Sequence, residues 1–206
     1  MIKWLENYWY HYKWHTIIGL FLAAVIAFSV WEIATDVDYD YYVMLYTSRS
    51  ETSVLEASLE KTLSMVGEDQ NGDGKVNVQV INASYSDTEN NKDFLNSQSR
   101  MFMGELMSER TYLIVTDDTR FNQLEEKFEN FFVSLNLDSK DGKSLRVNTK
   151  TNFGKKMLET FNELHYQYTT DLENGYNISM RSSGEPQTDV WKKSKEGLLD
   201  KIKAYK

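Results

Sequence analysis

The stretch Asp69–Val80, DQNGDGKVNVQV, places oxygen-bearing side chains at alternate positions, Asp69, Asn71 and Asp73, and follows them with Gly74. This is the opening spacing of an EF-hand loop. There, positions 1, 3 and 5 turn oxygens toward one hard cation, and a glycine at position 6 makes the sharp bend. In that register Lys75 offers its main-chain carbonyl at position 7, Val76 is the hydrophobic position 8, and Asn77 stands at position 9, which often acts through water. The cofactor such a loop predicts is calcium. The departure is position 12, where a bidentate carboxylate is expected and the chain has Val80. An ion-free Asn-Gly-Asp-Gly turn is the competing reading, because these residues adopt left-handed conformations at little cost. A cation here would brace a helix-to-strand corner.

A second polar set falls where predicted strands end. Thr47, Ser48, Arg49 and Ser50 follow the first strand, Asn82, Ser84 and Tyr85 the second, and Thr116, Asp117 and Asp118 the third. In open α/β sheets ligands gather beyond the carboxyl ends of the strands. Thr47, Ser48, Arg49, Asn82, Ser84, Asp117 and Asp118 are therefore the candidate ligand-binding residues. Ser50, Asp87 and Asp118 also suit the plainer role of helix caps. Catalysis has little to draw on. The chain has no cysteine, and His165 is the only histidine beyond the first 15 residues. No nucleophile elbow, phosphate loop, HExxH or complete GxGxxG is present. The chain is expected not to be an enzyme.

The elements that position these residues are legible from periodicity. Tyr41–Thr47 reads as a buried strand. Ser53 and Glu56 fit a capping box ahead of Leu55, Leu59, Leu63 and Val66 at helical spacing, and Gly67 ends that helix. Val76, Val78 and Val80 alternate in a second strand. A helix is predicted over 91–109, with Phe94, Met101, Phe102, Leu106 and Met107 on its apolar face. Tyr112–Thr116 is a third strand, and Phe121, Leu124, Phe128, Phe131, Phe132 and Leu135 predict one long amphipathic helix after it. This β-α-β-α-β-α order predicts an α/β domain with three layers and a mostly parallel sheet. The C-terminal part is less regular. It has a short strand at Leu145 and Val147, a helix through Phe153, Met157, Phe161, Leu164 and Tyr168, a strand at Tyr176–Arg181, and a last helix carrying Val190, Trp191, Leu198 and Ile202.

Ahead of this domain, residues 16–34 read TIIGLFLAAVIAFSVWEIA, with Glu32 the only charge. Nineteen helical residues span roughly 28 Å, about the hydrocarbon thickness of a bilayer. Residues 1–15 hold Trp4, Tyr8, Trp9, Tyr10, Tyr12 and Trp14 with Lys3 and Lys13, an aromatic and basic collar suited to the headgroup layer. Asp36, Asp38 and Asp40 follow the apolar run. Positive residues stay on the cytoplasmic side, so residues 1–15 are expected inside, 16–34 across the membrane, and 36–206 outside as one extracytoplasmic domain. A cleaved signal peptide, with Ala27 and Ser29 at the cleavage site, is the competing reading. Residues 1–35 carry two lysines and two glutamates, leaving 21 basic against 29 acidic residues beyond them, so the net charge of −8 falls on the domain. An acidic surface repels phosphate backbones and speaks against nucleic-acid binding. Without cysteine, neither disulfides nor a lipid attachment can serve.

The aromatic-basic N-terminus, the single membrane helix, the Gly67–Val76 loop and the strand ending Thr116–Asp118 together resemble uncharacterised single-pass membrane-anchored extracytoplasmic proteins of Firmicutes. Their soluble part is similar to a shortened lobe of solute-binding proteins. The resemblance implies a Gram-positive host with the domain facing outward from the cell membrane. The anchor, the acidic exterior and the lack of catalytic groups predict a binding or interaction module beside a membrane complex such as a transporter. The alternative is a small-solute receptor that captures its ligand at the strand ends.

Overall fold

The structure, a computed structural model, describes residues 2–49, 52–135, 142–164, 170–182 and 187–205. His165, Tyr168, Ser50 and Pro186 lie outside the described residues. The chain divides into two compact units, Met1–Asp38 and Tyr39–Lys206.

The first unit is one helix, α1 (Ile2–Thr35). Over Asn7–Ile33 it is long and apolar enough to cross a membrane, and its place near the N-terminus suits an anchor or a signal sequence alike. Its apolar stretch has no polar face: Leu20, Phe21, Leu22 and Val30, spread around the helix, are all exposed. The aromatic collar belongs to the same helix, with Tyr8 stacked on Tyr12 at 5.5 Å between centroids.

The second unit is α/β. Its elements are β1 (Tyr41–Tyr46), α2 (Ser53–Val66), β2 (Val78–Asn82), α3 (Lys92–Met107), β3 (Thr111–Thr116), α4 (Asp118–Lys127), β4 (Ser144–Val147), α5 (Asn152–Glu163), α6 (Thr170–Asn174), β5 (Tyr176–Met180), α7 (Asp189–Ser194), a π-helical turn (Lys195–Leu199) and α8 (Asp200–Ala204). The strands form one sheet in the order β2-β1-β3-β5-β4. β1 pairs in parallel with β2 and with β3, while β5 runs antiparallel to both β3 and β4. The sheet is therefore mixed, with β5 the single reversed strand.

The two central strands are apolar along nearly their whole length because residues of both parities are buried. Val43, Leu45, Leu113 and Val115 cluster with Leu55, Leu59 and Leu63 of α2, with Phe153 and Met157 of α5, and with Trp191 and Leu198 near the C-terminus. The intervening Met44, Tyr46 and Ile114 cluster instead with Phe102 of α3 and with Phe121 and Leu124 of α4. β2 lies at the sheet's edge, where Glu60 Oε1 accepts the Val80 N–H at 3.0 Å and so occupies a strand donor that has no neighbouring strand.

The sequence reading needs four corrections. The long aromatic helix is short: α4 ends at Lys127, and Asn130 takes a left-handed φ of 54° that no continuing helix tolerates. Phe131–Val133 run beside the end of β5 instead, with the Val133 N–H donating to Met180 O and the Ser182 N–H to Phe131 O. Second, the cap of α2 is Thr52, not Ser53, and its hydroxyl accepts from the Asn82 amide instead of capping. Third, α4 is capped by Asp117, not Asp118, and α3 by Asn91, not Asp87. Fourth, within the expected apolar face of α3 only Phe102 is buried, and Phe94, Met101 and Met107 stand exposed.

Candidate functional site

The connection from β1 through α2 places β2 on one side of β1, and the connection through α3 carries the chain past β1 to β3 on the other. The strand order thus reverses between β1 and β3. Such a switch point opens a crevice at the carboxyl ends of the strands, where loops diverge. Ser48, Arg49, Asp117 and Asp118 all lie there.

Asp117 is buried and divides its two oxygens. Oδ1 accepts the Arg120 N–H at 2.8 Å and caps α4, while Oδ2 accepts both the Ser48 N–H at 2.8 Å and the Ser48 hydroxyl at 2.5 Å. Asp118 faces outward and pairs with Arg146, whose Nη2 donates to Oδ2 at 3.1 Å and whose Nη1 bonds Oδ1. The Asn177 amide donates to Asp118 Oδ1 at 2.8 Å, and Asn177 Oδ1 accepts from Arg146 at 3.0 Å. Partial burial alone would raise the Asp118 carboxyl. The hydrogen bonds from Arg146 and Asn177 and the charges of Arg146 and Arg49 outweigh it, holding the group below its ordinary value. Arg49 lies over the Tyr176 ring at 5.1 Å and donates to its hydroxyl at 3.0 Å. Asp118 thus pairs with Arg146 and feels the charge of Arg49, two planar guanidinium forks of the kind that suit carboxylate or phosphate groups, while Asp117 is spent on Ser48 and the Arg120 main chain.

The other expected residues stand apart. Ser84 and Asn82 fasten the end of β2: the Thr47 N–H donates to Ser84 Oγ at 3.0 Å, Ser84 Oγ donates to Leu45 O, and the Asn82 amide reaches Thr52 and Glu56. Thr47 is fully buried, and its hydroxyl has no hydrogen-bond partner among the described residues. Arg146, Tyr176 and Asn177 were not foreseen. They arrive because the reversed β5 begins beside the end of β3, pairing Asn177 with Thr116.

The Asp69 loop sits at the opposite, amino end of β2. Asp69 Oδ1 accepts the Gly72 N–H at 2.6 Å and Oδ2 the Gly74 N–H at 2.8 Å, while Asn71 Oδ1 accepts from Asp73 N and Asp73 Oδ1 from Lys75 N. Gly72 and Gly74 take left-handed φ values of 78° and 83°, which a side chain would strain. The Gly74 and Gly72 N–H groups hold the Asp69 carboxyl below its ordinary value. Asp40 clasps the loop from outside, with Oδ1 accepting from Gln70 N and Asn71 N and Oδ2 from Asn77 N. Tyr41 donates to Glu68 O at 2.8 Å and accepts from Gln70 Nε2 at 2.8 Å, and the Glu68 N–H reaches Gly197 O in the π-helical turn. Asp69, Asn71, Asp73 and the Lys75 main-chain carbonyl are the oxygens that would hold calcium here; in this structure both Asp69 oxygens, Asn71 Oδ1 and Asp73 Oδ1 bond the loop's own N–H groups. Among the described residues no group of three or more His, Asp or Glu side chains gathers as a metal site.

Compared with family models, with curated proteins and with solved structures, the chain matches none of them.

Proposed function

We propose that the chain is a single-pass membrane protein, cytoplasmic at its N-terminus, whose α/β domain works outside the membrane as a binding or interaction module. In this reading α1 stays uncleaved, its aromatic-basic end inside and the acidic domain outside. The two buried clusters are then the two interfaces of a three-layer domain. Calcium in the Asp69 loop braces the corner between α2 and β2. The module serves as an accessory to a membrane complex such as a transporter, and it has no enzymatic activity.

The observation that carries the binding role is the meeting of Ser48, Arg49, Asp117 and Asp118 with Arg146, Tyr176 and Asn177 at the switch point. Purification of the full chain from its membranes in mild detergent tests it. The expected result is a stable membrane partner that is lost on Arg49→Glu while the unfolding temperature is kept. Recovery of the chain alone in several mild detergents contradicts it.

The second reading is a small-solute receptor, favoured by the ion pair of the half-buried Arg146 with the more exposed Asp118, a carboxylate that an anionic solute would displace. A thermal-shift screen against sugars, amino acids and short peptides separates the two. A shift with one class supports the receptor, and no shift with any of them removes it.

A further inference from the structure

On the Tyr46 side of the sheet, between α3 and α4, lies a cavity of about 510 Å³. This is the size of sites that hold small organic molecules. Rings of Tyr46, Tyr85, Phe102 and Phe128 line it together with Met103, Leu124 and Gln123. Glu126 and Lys127 add one charge of each sign to the lining. Tyr46 packs on Phe102 with 4.5 Å between centroids and meets Tyr85 edge-on at 6.0 Å. At only 9% exposure Tyr46 makes a floor, so the cavity has depth.

Polar groups converge on this aromatic box. The Tyr46 and Tyr85 hydroxyls lie 3.3 Å apart. One proton serves that contact, which leaves the pair a second proton to donate. Burial, and next the Tyr85 hydroxyl, push the Tyr46 phenol well up, so Tyr46 keeps its proton at physiological pH. Behind the rings sits Arg120, 2% exposed, its guanidinium carbon 4.2 Å from the Tyr85 centroid and 5.2 Å from that of Tyr46. Its Nη2 donates to Tyr85 O at 2.9 Å and pairs with Asp87 at 2.8 Å, and its Nη1 donates to Gln123 Oε1 at 2.6 Å. Gln123, its oxygen engaged by Arg120, also lines the cavity, and its amide keeps two N–H groups to donate. Arg120 Nε is buried without a hydrogen-bond partner among the described residues. A buried cation is costly to install, and here it fixes two tyrosines and a glutamine as one rigid wall. Core packing defects are closed and apolar; this cavity is open, and its donors are held in place.

We propose that this cavity is a binding site for a small planar aromatic molecule bearing a hydrogen-bond acceptor. The ring lies among Phe102, Phe128 and Met103, and the acceptor meets the Tyr46–Tyr85 hydroxyls and the Gln123 amide.

The test uses the full chain in lipid nanodiscs, with acetophenone as probe and empty nanodiscs as background. Ethylbenzene supplies the ring without an acceptor, and acetone the acceptor without a ring. Saturation-transfer NMR is expected to show saturable acetophenone binding, with both controls weaker. Tyr85→Phe weakens acetophenone about five- to ten-fold, the loss of one hydrogen bond, and leaves ethylbenzene unchanged. Ser99→Trp, at an exposed position lining the mouth, abolishes binding while the unfolding temperature holds. No saturable binding above background overturns the proposal, and so does binding that survives Ser99→Trp. A photo-crosslinker at Met103 that captures another protein without competition from acetophenone overturns it in favour of protein docking. Neither substitution lies in the Ser48–Asp117 or Arg146–Asp118 network, so the cavity and the switch-point module fail or stand separately.

Discussion

Ser48 and Asp117, one at the end of β1 and the other at the end of β3, are joined twice, through the Ser48 N–H at 2.8 Å and its hydroxyl at 2.5 Å to the same carboxylate oxygen. The other oxygen caps α4 through the Arg120 N–H. One buried carboxylate thus ties the loop after the first strand to the helix after the third. Asp117→Ala removes a cap and strands the Ser48 donors, at a cost of about 3 kcal/mol. Asp117→Asn keeps the capping oxygen but turns an amide NH2 toward the Ser48 N–H, so it loses the Ser48 contact alone, at a cost of about 2 kcal/mol. Chemical denaturation of the detergent-solubilised chain ranks the two. Equal losses, or no loss in the alanine variant, contradict this role for Asp117.

The Asp69 loop predicts a calcium-dependent stability. Millimolar calcium is expected to raise the unfolding temperature of the full chain, with magnesium doing less because it demands stricter octahedral geometry. Asp73→Ala removes a position-5 ligand and abolishes the calcium effect. Equal stability with and without calcium reduces the loop to a turn held by its own side chains and by Asp40 and Tyr41.

Asp118 gives the domain an acid-sensitive contact. Its folded pKa lies below the unfolded value: the bonds from Arg146 and Asn177 and the charges of Arg146 and Arg49 outweigh the opposing effect of burial. The unfolded state therefore binds the proton first, and the stabilisation is fully present above the ordinary carboxyl value of about 4. It is lost as pH falls through the lower folded value. Asp118→Asn is expected to make the acid limb of the stability profile shallower below about pH 4, and to leave its shape near neutrality unchanged. An acid limb identical to that of the parent chain contradicts this.

The parts legible in the sequence share a physical reason. β1 and β3 show as unbroken apolar runs because residues of both parities are buried, and α2 shows through Leu55, Leu59 and Leu63 because one stripe of it is covered. Phe121 to Leu135 misled because aromatic spacing at helical period does not reveal the left-handed turn at Asn130, after which Phe132 returns to stack on Phe121 at 5.0 Å. The direction of β5 leaves no trace in its alternation, yet that direction alone delivers Tyr176 and Asn177 to the switch point. The strand-end rule found Ser48, Arg49, Asp117 and Asp118. It also drew in Asn82 and Ser84, whose bonds are spent on β1 and α2. Asp40 read only as part of an acidic exit from the membrane segment, because its three main-chain partners lie some 30 residues away or more.

The absence of cysteine makes the proposed topology directly measurable. Single cysteines placed at Asn7, near the start of α1, and at Ser86, in the loop after β2, are treated in intact cells with a membrane-impermeant maleimide. With α1 as an uncleaved anchor, Ser86→Cys is labelled in the membrane fraction on a chain of full length, and Asn7→Cys is labelled only after the cells are opened. Labelling of Asn7→Cys in intact cells, protection of Ser86→Cys, or a shortened chain released into the medium would contradict a domain held outside the membrane by α1.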